Sequence, residues 1–211
     1  MLPQYYTVKQ SGAHEIVIQK SRFICHAKRA TTEKEAQDFI QKIKKEHWSA
    51  NHNCSAYLIG ERNQFQKAND DGEPSGTAGV PMLEVLKRKE LKDTVVVVTR
   101  YFGGIKLGAG GLVRAYSNSV SEGLTNIGIV KRTLMQIMHT KVDYTWLGKL
   151  ENELRNSKYA IKDIHYLENV TFDTYVEEDG KQAFTDWMIE LTNGKCTITE
   201  GDMLYLEQDV I

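Results

Sequence analysis

Two segments of the chain concentrate residue types suited to chemistry. The first is Asp70-Asp71-Gly72-Glu73-Pro74-Ser75-Gly76-Thr77-Ala78-Gly79, with three carboxylates, two hydroxyls and three glycines in ten residues. Its glycines allow close backbone approach. Ser75 and Thr77 are placed to bind backbone groups or to cap a helix opened by Pro81. The second is Thr99–Arg114, where Gly103, Gly104, Gly108, Gly110 and Gly111 join a β-branched run to a helical one beside Arg100, Lys106 and Arg114. A Gly-rich turn at a helix N-terminus presents unpaired N–H groups and the positive end of the helix dipole, which suits an anion. Basic side chains add charge and donors. Tyr101 and Phe102 offer faces on which bases can stack, although strand alternation turns at least one of them inward.

Other chemistries find less support. The glycines do not form a Walker loop, because Ala109-Gly110 follows Gly108 where Lys-Ser/Thr is required. The dinucleotide fingerprint lacks its third glycine. His52 and Cys54 alternate onto one strand face, but no further ligand accompanies them. They read as a packed histidine and a buried thiol. The carboxylates Asp70, Asp71 and Glu73 read as a solvated acidic turn rather than a cation site. No nucleophile–base–orienter set is apparent, so no catalytic residue, metal or cofactor is expected.

The elements that must position these segments follow from periodicity. Residues 14–29 and 53–59 are strand-like, and Thr94–Thr99 is a buried strand by its continuous β-branched character. Thr32-Glu33-Lys34-Glu35 opens a helix with a capping box, and Ala36, Phe39, Ile40 and Ile43 share one face. Residues 60–79 and 103–111 read as loops. Leu112, Val113, Tyr116, Val120, Leu124 and Ile127 mark a long helix stopped at Gly128. Beyond this point the order is strand, helix, two strands, helix, strand, the ferredoxin-like βαββαβ pattern. Trp146, Leu150, Phe184 and Trp187 face inward in that pattern. The expected architecture is α+β, with an N-terminal domain at 1–128 and a ferredoxin-like domain at 129–211.

Composition fits this reading. The 211 residues are 41% hydrophobic and 26% charged with 3 Pro, an ordinary globular balance. No apolar run reaches the roughly 18 residues that span a bilayer, and the start has no signal-peptide pattern. Three scattered cysteines suit a reducing cytoplasm. Residues 1–130 carry 18 basic and 13 acidic side chains, whereas residues 131–211 carry 9 and 15. Opposite signs suggest different partners for the halves.

DDGEPSGTAGVPMLEVL followed by VVVVTRYFGGIKLGAGGLVRAYS resembles the signature of the IMPACT family, and His52-Asn53-Cys54-x-Ala56-Tyr57 resembles its preceding strand. The resemblance covers residues 1–128, and the second half is similar to the small C-terminal domain of bacterial members. It implies the α/β fold of the second domain of a small-subunit ribosomal protein, shared with domain IV of elongation factor G and the protein of ribonuclease P. The second domain resembles domain V of that factor. These are likenesses of fold, which many functions share. Eukaryotic relatives regulate translation by binding the activator of a starvation-responsive initiation-factor kinase. They do so partly through an additional N-terminal domain that this sequence does not show, so that partner is not carried over.

The leading expectation is a non-enzymatic, translation-linked regulator that binds RNA or a ribosome-associated nucleoprotein. The binding surface would comprise Asp70, Asp71, Gly72, Glu73, Ser75, Gly76, Thr77, Arg100, Tyr101, Gly103, Gly104, Lys106, Gly108, Gly110, Gly111 and Arg114. The alternatives are a regulatory module docking a protein on the same face and an enzyme acting on a phosphorylated small molecule. No membrane partner and no sequence-specific DNA site are expected. Chelation should leave the melting temperature unchanged; a fall of many degrees, reversed by zinc or calcium, would show that His52–Cys54 or Asp70–Glu73 had been misread.

Overall fold

The computed structural model describes residues 1–210. It divides into two compact units, Met1–Arg132 together with the residues from Glu207 on, and Thr133–Leu206. This corrects the boundary expected at 128/129 and the assignment of the whole C-terminus to the second domain. The Glu207 carboxylate is held by Arg29 at 2.7 Å and by Arg132 at 3.1 Å. Lys9 pairs with Asp209 at 2.7 Å, and the Val210 N–H donates to the Ile129 carbonyl at 2.9 Å. These long-range pairs leave no periodic mark in the sequence.

The first unit is built on an antiparallel sheet in the order β2-β3-β6-β4-β5, formed by β2 (Gly12–Ile18), β3 (Ser21–Arg29), β6 (Thr94–Tyr101), β4 (His52–Ile59) and β5 (Phe65–Asn69). A short β1 (Gln4–Val8) precedes them. The central β6 is buried along almost its whole length, which explains its unbroken β-branched run. Alternation splits its side chains between two cores. Val96 and Val98 join Phe23, Cys25, Cys54 and Leu58 under α2 (Gly79–Arg88) and α3 (Gly108–Ile127), whereas Val95 and Val97 join Tyr57 and Ile59 under α1 (Glu33–Glu46). Thr32 caps α1 by accepting from Glu35 N–H at 3.2 Å, and the Glu35 carboxylate reaches back to Thr31 N–H at 2.7 Å.

Four local expectations change. β5 lies inside the span read as loop, because Phe65-Gln66-Lys67-Ala68-Asn69 is a polar edge strand without a buried stripe. β1 was not anticipated. α2 begins at Gly79, so Pro81 is its third residue rather than its first. α3 begins at Gly108, which places Gly108, Gly110 and Gly111 in its first turn, and Val113 points outward at 37% exposure.

The second unit contains most of β7 (Ile129–Val142), then α4 (Leu147–Arg155), β8 (Ile161–Tyr166), β9 (Val170–Val176), α5 (Lys181–Leu191) and most of β10 (Thr197–Asp209). β10 pairs with β7, β7 with β9 and β9 with β8, the neighbour order of the ferredoxin-like arrangement, and β7 also pairs with β1. Its core holds Met138, Val142, Leu150, Leu154, Phe172, Phe184 and Met188, with Trp146 and Trp187 packed at its margin rather than inside it. Among the described residues, no helix is long and apolar enough to cross a membrane.

One contact sets how closely α3 approaches the sheet. A Cβ at Gly123 would lie 2.6 Å from Cys25 Sγ and 2.7 Å from Cys25 Cβ. Gly123→Ala should therefore destabilise the protein by about 1–3 kcal/mol by overpacking, despite alanine's better helix propensity of roughly 1 kcal/mol. Cys25→Ala should recover only part of this, because its Cβ remains. Urea titration of both single variants and the double variant reads the effect, and a stabilised Gly123→Ala would refute the close approach.

Candidate functional site

The two Gly-rich segments meet at one end of the α2/α3 face. Alternation along β6 continues from Val96 and Val98 to Arg100. On the neighbouring β4, the alternation of Cys54, Ala56 and Leu58 extends back to His52. The register sets His52 directly opposite Arg100.

The first segment folds around its own leading carboxylate. Asp70 accepts from the backbone N–H groups of Gly76 at 2.8 Å, Ala78 at 3.0 Å and Gly79 at 2.8 Å. It therefore supplies the start of α2 with the acceptors expected of Ser75 or Thr77. Thr77 instead donates to the Pro74 carbonyl at 2.6 Å. Burial raises the Asp70 pKa, but the three N–H donors outweigh it and the net shift is downward. Asp71 turns away from the site, accepting from Asn53 N–H at 2.6 Å and pairing with Lys44 at 2.5 Å. The expected solvated acidic turn is thus a tied loop with its first two carboxylates engaged.

Glu73 points inward, with its side chain 3% exposed. Its Oε1 accepts from Arg100 Nη1 at 2.6 Å and from the Tyr116 hydroxyl at 2.7 Å. Its Oε2 faces His52 Nε2 at 3.8 Å. The other ring nitrogen of His52, Nδ1, lies 2.9 Å from the Asp71 carbonyl oxygen. That oxygen can only accept, so Nδ1 carries the proton. Burial pushes the Cys54 thiol up to about 12, so it remains neutral, 3.0 Å from the Asp70 carbonyl and 3.3 Å from the Tyr116 hydroxyl. Burial, with Cys54 and Glu73 alongside, also raises the Tyr116 pKa.

Arg100 is 5% exposed and lies between the rings of Phe23 and Phe102 at 5.4 and 5.5 Å. It is an internal counterion to Glu73. Its Nε is buried without a hydrogen-bond partner among the described residues. The chain leaves β6 through Phe102, whose N–H donates to Asn51 Oδ1 at 2.8 Å, and Gly103, whose N–H donates to Ser21 Oγ at 3.1 Å. Only glycine fits at 103, where a Cβ would overlap the Lys20 carbonyl carbon at 2.0 Å. Gly108 then starts α3 at φ +70°, with no side chain capping the helix.

These parts enclose a cleft of about 450 Å³. Asn51, His52, Glu73 and Pro74 line one side, and Arg100, Phe102, Lys106, Leu107, Gly108, Ala109 and Leu112 complete it. Of the expected site residues, Glu73, Arg100, Lys106 and Gly108 line the cleft together. Gly110 and Gly111 are in the adjoining helical turn, and the Arg114 guanidinium lies 3.8 Å from where a Gly110 Cβ would be. Asp70, Asp71, Gly72, Ser75, Gly76 and Thr77 form the supporting loop, and Gly103 and Gly104 the exit from β6. Tyr101 belongs to the opposite face, its hydroxyl 2.9 Å from His47 Nδ1 and its ring under Arg22. The stacking face in the cleft is therefore that of Phe102, 45% exposed. The initial residue set omitted His52, Asn51, Phe102 and Tyr116. The one signal for His52 was its alternation with Cys54.

The Impact N-terminal domain matches residues 19–124, a span that holds every residue of this cleft. The protein is 70% identical over 210 residues to "IMPACT family member YvyE" of Bacillus subtilis (strain 168), covering 100% of this chain and 97% of that one. The chain belongs to the IMPACT family. An IMPACT family member of Haemophilus influenzae is 35% identical over 202 residues, covering 93% of this chain and 97% of that one. A crystal structure described as that of an hypothetical protein matches with a TM-score of 0.60 at 27% identity, covering 96% of this chain and 99% of that one. Residues 140–195 match a domain of unknown function. The family and the two-part α+β architecture implied by the Gly-rich segments are thus established for this IMPACT protein.

The Asp70 loop gives a direct test. Asp70→Ala should cost about 1–2 kcal/mol, the scale of a lost helix cap. The folded-state pKa of Asp70 lies below its ordinary value, so its contribution is present above about pH 4 and is lost as pH falls through the depressed value. Denaturation curves of wild type and variant should stay separated near neutrality and converge in acid. A separation that widened in acid would refute this role.

Proposed function

We propose that this IMPACT protein is a translation-linked regulator whose first unit binds RNA through the cleft at the start of α3, taking one nucleotide into it. The observation that carries this reading is the convergence of an uncapped helix N-terminus, Lys106 and the exposed Phe102 ring on one cleft. Unpaired N–H groups at a helix start bind phosphate oxygens. Lys106 adds a positive charge that Glu73 does not cancel, because Glu73 is paired with Arg100. Phe102 offers a stacking face for a base without demanding a sequence. A volume of about 450 Å³ suits a small organic group rather than a duplex groove. Single-stranded RNA or an exposed end is therefore the favoured form, since its bases can be splayed out.

The excess of basic residues in the first 130 positions favours an anionic partner. The translation link rests on the resemblance of the two domains to those of ribosome-associated proteins.

The test is a titration of wild type and the Lys106→Ala/Arg114→Ala double variant with short single-stranded RNA at several salt concentrations. The variant should bind more weakly, and each lost phosphate contact should flatten the log–log salt slope by roughly 0.7. Both changes are at exposed positions and should leave stability within about 0.5 kcal/mol. Equal affinities and slopes would remove this face as the RNA site and favour docking of a protein partner.

A further inference from the structure

We propose that Glu73 and His52 read the two neighbouring hydroxyls of a ribose, so that the cleft selects an RNA 3′ end carrying a free cis-diol. This rests on the RNA reading above and specifies which part of the RNA enters. Two acceptor atoms lie side by side on the cleft wall without donors. Glu73 Oε1 is fully engaged by Arg100 and Tyr116, and no hydrogen bond among the described residues reaches Oε2. His52 gives its Nδ1 proton to the Asp71 carbonyl, so the neutral tautomer that fits this contact has its lone pair on Nε2. The two atoms are 3.8 Å apart, too far for a direct hydrogen bond.

A carboxylate whose side chain is 3% exposed, with one oxygen unpaired, is costly unless a donor from solvent or ligand occupies the position. The required ligand edge therefore presents two adjacent O–H or N–H donors. Phosphate and carboxylate groups present none, so the pair repels the anion that Lys106 and the α3 terminus attract. One ligand satisfying both must carry its donors beside its negative charge. A ribonucleotide does so through its 2′- and 3′-hydroxyls, each giving one proton to one acceptor. Internal RNA nucleotides have an esterified 3′ oxygen and keep only one of these donors. The base is left to the exposed Phe102 ring at the cleft rim.

The full chain should be titrated by fluorescence anisotropy with four versions of one short single strand. These are RNA with a free 3′ diol, the same RNA with a 2′-deoxy final residue, the same RNA with a 3′-phosphate, and the DNA counterpart. Wild type should prefer the diol end by about tenfold or more over the deoxy and phosphate ends, as expected for a lost hydrogen bond to a charged or buried acceptor. Periodate oxidation of the diol should abolish the preference. His52→Phe should bring the diol-to-deoxy ratio toward one. Glu73→Gln should do the same where circular dichroism shows it folded; His52→Phe alone decides the matter where it is not. Equal wild-type affinity for diol and deoxy ends would overturn the inference while leaving RNA binding intact. So would a preference that follows the terminal base and ignores the sugar. Failure to bind any of the four strands would overturn the RNA reading and this inference together.

Discussion

The buried ion pair between Glu73 and Arg100 is the constraint on which the first unit's working face depends. It joins the Asp70–Gly79 loop to the central strand β6, and the Tyr116 hydroxyl ties α3 to the same carboxylate oxygen. Removing two charges from water costs several kcal/mol per ion, which their attraction repays only with good geometry and further hydrogen bonds. Here the second donor and the flanking rings of Phe23 and Phe102 supply part of that support. A partner lost from such a pair typically costs about 3–5 kcal/mol, because it strands a buried charge. The loop, the strand end and the helix therefore hold one arrangement, and the cleft exists before any ligand arrives.

The loop can deliver Glu73 inward because its other carboxylates do different work. Asp70 gathers three N–H groups at the start of α2. Asp71 is fixed between Asn53 N–H and Lys44, and its carbonyl orients the His52 ring. Three acidic residues that look equivalent on paper are a cap, a strut and part of the cleft wall. What separates them is backbone direction, set by an Asx turn in which Asn69 Oδ1 accepts from Asp71 N–H and by left-handed φ angles at Asp71 and Gly72.

This explains which features were legible in the sequence. The β6 run, the α1 capping box and the long α3 stripe each follow from a local period, and those elements are present. The two Gly-rich segments were recognisable as a family signature, and they do converge. The pairing of Arg100 with Glu73 left no mark in the sequence, because the counterion lies 27 positions away and no local rule pairs them. His52 was dismissed because its significance depends on the register that puts it opposite Arg100. Tyr101 and Phe102 could not be told apart until β6 was anchored in the sheet, since a shift of one residue would exchange their faces. β5 was invisible because a polar edge strand has no apolar alternation to detect.

The second unit provides a comparison for how a buried carboxylate is satisfied. Asp173 is also nearly buried, but His139 engages Oδ1 at 2.6 Å and His165 engages Oδ2 at 3.0 Å. Burial raises the Asp173 pKa, yet the two histidines outweigh it and the net shift is downward, while their ion pair raises that of His165. Both oxygens are satisfied, so Asp173 secures the pairing of β7, β8 and β9 and presents no vacant acceptor. Glu73 receives both its donors on one oxygen and leaves the other directed at His52. The same chain thus contains a carboxylate closed by its partners and one left half-open in a cleft. That difference in hydrogen-bond accounting, rather than charge or burial alone, separates a structural acid from one available to a ligand.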